Sequence, residues 1–182
     1  LLGAHQVENC ATAVGALEML RAQGTLNLPE DAVRRGIQNC RWPARVELLD
    51  RRPAVVLDSA HTLESVQALI EALGAHFPRR PVRVVYGCSA DKNFQGMLGA
   101  LAPRCAELIT TQCASPRAAG AEQLAEVARR IGVGNVRAVA PPPEALRRCM
   151  AGAEKGDVVC VTGSFFVAGE VRAAWERGEI GG

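Results

Sequence analysis

Asp58 and His61 stand three residues apart at the end of the apolar run Val55-Val56-Leu57. Such a run reads as a buried strand, which would deliver a carboxylate and an imidazole together to one edge of a sheet. In open α/β sheets ligands bind beyond the carboxyl ends of the strands, so chemistry is expected at this pair. The same residues also permit a local reading, with Asp58 capping the next helix and His61 as a turn residue. Further along, the strand ends carry Gly87-Cys88-Ser89-Ala90-Asp91-Lys92, Thr110-Thr111-Gln112 and Thr162-Gly163-Ser164, while the amino ends offer mostly proline, glycine or arginine. The asymmetry predicts one polar crevice along a single rim. Lys92 is one of two lysines beside 19 arginines, and a compact ammonium suits a carboxylate or phosphate. Its alternative is a solvated loop residue. Gly163-Ser164 places a hydroxyl and free N–H groups at a helix start, either as an anion seat or as an ordinary N-cap.

These groups need a scaffold, and the periodicity supplies one. Apolar residues at 7, 11, 14, 17 and 20 mark a first helix, and Leu28-Pro29-Glu30-Asp31 opens a second that runs towards Gly36. Strands are predicted at Arg45–Leu49 and Ala54–Leu57, and the short link through Arg51-Arg52 makes them antiparallel. Strands at Val82–Tyr86, Glu107–Thr111, Val136–Ala140 and Asp157–Thr162 then alternate with helices, the last being Phe165–Arg177. The expected fold is α/β: a Rossmann-like, mainly parallel sheet with an antiparallel first strand and helices on both faces. The boundary between residues 1–40 and 41–182 falls where the initial helices give way to this unit.

Composition narrows the function. A net charge of +2 over 182 residues gives no basis for a nucleic-acid or membrane surface. Arg79-Arg80, Arg129-Arg130 and Arg147-Arg148 fall near predicted helix ends, where cations complement the dipole. The seven cysteines lack Cys-x-x-Cys spacing, so neither a zinc site nor a disulfide framework is expected, and a reducing cytoplasm is. Neither Gly-x-Ser-x-Gly nor a Walker-type phosphate loop is present, and His76 reads as structural. The opening at Leu1 without methionine reads as a cut.

Five segments in order carry a resemblance. They are Gly3-Ala4-His5-Gln6-Val7-Glu8-Asn9-Cys10-Ala11, Trp42-Pro43-Ala44-Arg45-Val46-Glu47, Leu57-Asp58-Ser59-Ala60-His61, Asp91-Lys92-Asn93, and the stretch from Val161-Thr162-Gly163-Ser164-Phe165-Phe166 to Arg172. Together they resemble the C-terminal part of bacterial folylpolyglutamate synthase, often also dihydrofolate synthase, in the Mur ligase superfamily. The resemblance implies that residues 1–40 are the tail of an N-terminal ATPase domain and that residues 41–182 are the C-terminal Rossmann-like domain. It implies a cytoplasmic ligase that uses ATP and Mg2+, the metal held mainly by the ATPase domain, to join L-glutamate to a folate or pteroate carboxylate through an acyl phosphate. By position, Asn9 would lie near adenine, Arg45 at the ATP phosphates, Asp58 at the ribose and His61 at the phosphates. Asp91, Lys92 and Ser164 would line the glutamate side, with His61 and Lys92 closest to the chemistry; no metal ligand is assigned to this chain. Two departures stand out. The family usually has glycine where Ala44 stands, and its Asp-Gly-Ala-His-Asn-Pro pattern here reads Asp58-Ser59-Ala60-His61-Thr62-Leu63. Thr62 can still cap the helix. The competing readings are a non-catalytic nucleotide- or partner-binding module and a related Mur-type amide ligase for another carboxylate.

Overall fold

The computed structural model describes residues 1–181. Two helices, α1 (Ala4–Ala22) and α2 (Glu30–Gln38), precede the sheet and contain no buried residue. Six strands follow: β1 (Glu47–Arg51), β2 (Ala54–Leu57), β3 (Val82–Tyr86), β4 (Cys105–Thr110), β5 (Val136–Ala138) and β6 (Val158–Thr162). They form one sheet in the order β1-β2-β6-β3-β4-β5, with β1 antiparallel to β2 and the rest parallel. Every residue of β2 and β6 is buried, as the unbroken apolar runs require of strands covered on both faces.

Helices α3 (Leu63–His76), α4 (Phe94–Leu101) and α5 (Ala121–Arg130) cover one face. There Leu69, Leu73, Met97, Leu98 and Leu124 pack on Val56, Val84, Tyr86 and Cys160. Helices α6 (Pro142–Ala151) and α7 (Phe165–Glu176) cover the other, where Leu146, Val167 and Val171 meet Val55, Leu57, Val85 and Ile109. The chain winds outward from β2 through β3, β4 and β5, then returns through α6 to place β6 between β2 and β3. The loop after β2 therefore leads to one face and the loop after neighbouring β6 to the other. Their divergence opens a crevice at the carboxyl rim, the switch point where such sheets take ligands.

Several boundaries differ from the sequence reading, for identifiable reasons. The first strand begins at Glu47 rather than Arg45, because Ala44 and Val46 adopt positive φ (54° and 47°) and cannot join a ladder. Helix α3 ends at His76, so Arg79 and Arg80 lie beyond it; the Arg80 guanidinium donates instead to the Asp157 carbonyl at 2.7 Å. Arg129, Arg130 and Arg148 do occupy last helical turns. At the amino rim Arg83 bonds Asp157 at 2.7 Å and also pairs with Glu107, which pairs with Arg137. Burial pushes the Asp157 carboxyl up, but the Arg83 hydrogen bond and the Glu154 N–H outweigh it and hold it below its ordinary value. No helix among the described residues is long and apolar enough to cross a membrane.

Candidate active site

The site begins with the arch Ala44-Arg45-Val46. Two of its three residues carry left-handed backbone, which costs free energy for side chains larger than glycine, so other groups must hold it. Asp58 accepts the Val46 N–H at 2.8 Å on one oxygen and the Ala60 N–H at 2.7 Å on the other. The Ser59 N–H and hydroxyl both donate to the Ala44 carbonyl at 3.0 Å, and Glu47 accepts the Ala44 N–H at 2.8 Å. Glu47 is itself paired with Arg172 on α7. Ser59 thus clamps Ala44, the first residue of the arch. Burial raises the Asp58 carboxyl above its ordinary value, although the Val46 and Ala60 N–H groups and the Arg45 charge pull the other way.

Beyond the arch the chain turns into α3. Thr62 and Ser65 form a reciprocal capping box, with the Ser65 N–H donating to Thr62 Oγ1 and the Thr62 N–H to Ser65 Oγ. His61 sits just before it. Its Nδ1 lies 3.0 Å from the Ser59 carbonyl, so Nδ1 carries the proton and Nε2 is the nitrogen left for a ligand. The ring rests 4.9 Å from that of Phe165, tilted by 50°.

His61 opens onto a cleft of about 170 Å³, shared with Ser89, Lys92, Arg117, Gly163, Ser164, Phe165 and Phe166. Three loops build it. After β3, Ser89 bridges Ala118, and the Ala90 N–H donates to the Arg117 carbonyl at 2.8 Å, which zips that loop to the one after β4. Lys92 precedes Asn93, the N-cap of α4. After β6, Gly163 adopts φ 107°, and Ser164 caps α7 by accepting the Phe166 N–H at 3.1 Å. Lys92 makes no ion pair among the described residues, so its charge is available to a ligand. A second groove, about 970 Å³, runs along α1 and α2 and is mostly apolar. Asn9, His5, Trp42 and Arg45 line it.

The candidate residues are therefore brought together in two adjoining places. Asn9 and Arg45 share the groove, while His61, Lys92 and Ser164 share the cleft. Asp58 lies beneath both, 4% exposed, acting as a strap for the arch rather than as a helix cap. Asp91 is not part of the cleft wall; it holds Arg117 through both carboxylate oxygens at 3.1 and 3.2 Å. That pairing keeps the Asp91 carboxyl below its ordinary value. The hydroxyls of Thr111 and Thr162 are buried without partners, and Thr110 donates to the Ala121 carbonyl, so these threonines support the rim without entering the cleft. Sequence reasoning missed Arg117, and it named Ser89 and the two phenylalanines only within longer segments, with no role of their own. The signal for Arg117 was a cation in the loop after β4, as Lys92 is in the loop after β3. No three His, Cys, Asp or Glu side chains cluster as a metal ligand set among the described residues.

Comparison with known proteins gives the same neighbourhood. The family model for the Mur ligase glutamate ligase domain matches residues 44–165. A probable bifunctional folylpolyglutamate synthase/dihydropteroate synthase of Haloferax volcanii is 33% identical over 180 residues, 99% of this chain and 21% of that protein. The structure of Mycobacterium tuberculosis folylpolyglutamate synthase complexed with ADP superimposes with a TM-score of 0.84 at 32% identity, over 96% of this chain and 41% of that one. A bifunctional folylpolyglutamate synthase/dihydrofolate synthase solved with Mn, AMPPNP and L-glutamate bound gives 0.74 at 33% identity, over 83% and 36%. The chain thus spans between a fifth and two fifths of the length of these relatives.

Proposed function

Because the chain belongs to the Mur ligase family and carries its glutamate ligase domain over residues 44–165, we propose that it is one wall of an ATP-dependent ligase that joins L-glutamate to a folate or pteroate carboxylate. The observation that carries this reading is the cleft itself. Two cations, Lys92 and Arg117, an imidazole and the N-terminus of α7 converge at the switch point of the sheet. Glutamate brings two carboxylates, and two cations beside free helix N–H groups suit them. The relatives solved with ADP and with AMPPNP and L-glutamate support both ligand classes.

In this reading Arg45 and His61 meet the nucleotide phosphates and Asn9 lies near adenine. Each Asp58 oxygen keeps a second lone pair for a ribose hydroxyl. Lys92, Arg117 and Ser164 hold glutamate so that its amine faces the acyl phosphate, and Asp91 sets the position of Arg117. Orienting amine against acyl phosphate is a proximity effect, and excluding water protects the intermediate from hydrolysis. Mg2+ does not fit the residues present, since the described chain holds no acidic ligand cluster. We therefore assign the metal to an N-terminal ATPase domain, of which residues 1–40 form the tail. That domain would cover the apolar groove of α1 and α2, which bury nothing within this chain. The seven free cysteines suit a reducing cytoplasm.

Coupling of ATP cleavage to both acceptors tests the proposal. In the full-length polypeptide that carries this chain, ADP release should require a folate-type carboxylate and glutamate together. ADP release that ignores glutamate, or turnover only with a cell-wall precursor in place of folate, would overturn it.

A further inference from the structure

We propose that Phe165 is a positioning residue that holds the Arg45 guanidinium and the His61 imidazole at a fixed spacing, so that one polyphosphate can engage both. The proposal rests on the reading of those two residues as phosphate contacts.

Phe165 is the first residue of α7, yet the helix does not need it for packing. Val167, Ala168, Val171 and Ala174 make the buried face. Phe165 is 51% exposed, so its ring is open to groups from other elements. It has two neighbours that come from other elements. The Arg45 guanidinium carbon lies 5.5 Å from the ring centroid, within cation–π range, and the His61 ring centroid lies 4.9 Å away, within aromatic-pair range. Arg45 lines the groove along α1 and α2, whereas His61 lines the cleft, so the ring stands where the two meet.

Arg45 makes no ion pair or side-chain hydrogen bond among the described residues, and the Phe165 ring is what its guanidinium rests on. A long side chain without a partner samples many rotamers, and each must be frozen when an anion binds. Resting the planar guanidinium on a fixed ring lowers that ordering cost in advance. His61 gains a second restraint besides its Nδ1 hydrogen bond, which fixes the tilt of the ring and hence the direction of Nε2.

The test compares Phe165→Leu, Phe165→Tyr, Arg45→Ala, His61→Ala and the Arg45→Ala/Phe165→Leu double variant in the full-length polypeptide. The readouts are KM for ATP and KM for glutamate, with thermal unfolding as the control for folding. Leucine preserves apolar area but not the π face, so Phe165→Leu should raise KM for ATP by about 3- to 5-fold. Phe165 also lines the cleft, so KM for glutamate is the comparison and should rise by less than KM for ATP, and Phe165→Tyr should restore the parent KM for ATP. In the Arg45→Ala background the leucine change should add under about 2-fold, because its main partner is gone. If Arg45→Ala and His61→Ala raise KM for ATP but Phe165→Leu does not, the positioning role fails alone. A full leucine effect that persists without Arg45 also overturns it. If neither Arg45→Ala nor His61→Ala alters KM for ATP, the phosphate-contact reading itself fails.

Discussion

Asp58→Ala should lower the stability of the chain by about 2–5 kcal/mol, because two buried N–H groups lose their acceptor and each unsatisfied donor costs roughly 1–3 kcal/mol. Those donors are Val46, 2.8 Å away, and Ala60, 2.7 Å away. The loss extends to function. Val46 holds its left-handed conformation against the strap that Asp58 provides, and Arg45 is the residue next to it. KM for ATP should rise in parallel. The negative charge is not itself the stabilising element: burial raises the Asp58 pKa. A carboxyl whose folded pKa is raised favours folding fully below its ordinary value and loses that contribution as pH rises through the folded pKa. At neutral pH the two hydrogen bonds therefore carry the benefit while the charge opposes it. Asp58→Asn keeps one acceptor and turns an amide N–H against the second donor, so it should fall between the parent and alanine. Urea midpoints of the three proteins check the order, and an alanine variant as stable as the parent would refute the strap.

Gly163→Ala is the second large effect. A Cβ at this position would lie 2.6 Å from the Gly87 carbonyl oxygen and 2.8 Å from the Tyr86 ring, and φ of 107° is closed to other residues. Tyr86 is fully buried and Gly87 is itself packed against the Thr111 carbonyl, so neither neighbour can yield. Overpacking of this kind costs about 1–3 kcal/mol and backbone strain of order 1–3 kcal/mol more. The expected outcome is a loss of roughly 3–5 kcal/mol, a large part of a typical domain's 5–15 kcal/mol. Any folded fraction should bind substrate poorly, since Ser164 and the start of α7 follow directly. Chemical denaturation decides the point: an unchanged midpoint would mean that the close approach of the β3 and β6 exits is not real.

Much of this could be read from residues in order. The unbroken run Val55-Val56-Leu57 fixed a strand covered on both faces, and the alternation after Asp58 fixed the winding. Lys92 and Ser164 meet His61 in one cleft, as the rim of polar strand ends implied. What could not be read was set by contacts across the fold. The start of β1 shifted by two residues because Asp58, Ser59 and Glu47 enforce a backbone at Ala44 and Val46 that their own propensities disfavour. Asp91 and Arg117 are 26 residues apart, and only the pairing of the loops after β3 and β4 makes one the support of the other. Phe165 read as an ordinary helix residue, since neither Arg45 nor His61 is near it in sequence.

The central claim is that the cleft at the switch point receives the amine substrate, and Lys92→Ala tests it most directly. Lys92 is partly exposed and its ammonium has no ion-pair partner among the described residues, so its removal should leave folding intact. A charge-assisted hydrogen bond is worth about 1.5–3 kcal/mol, which corresponds to roughly a 10- to 150-fold fall in kcat/KM for glutamate. Measured in the full-length polypeptide, that fall should come with KM for ATP within about 2-fold of the parent. An unchanged kcat/KM for glutamate, or a loss confined to ATP, would contradict the account.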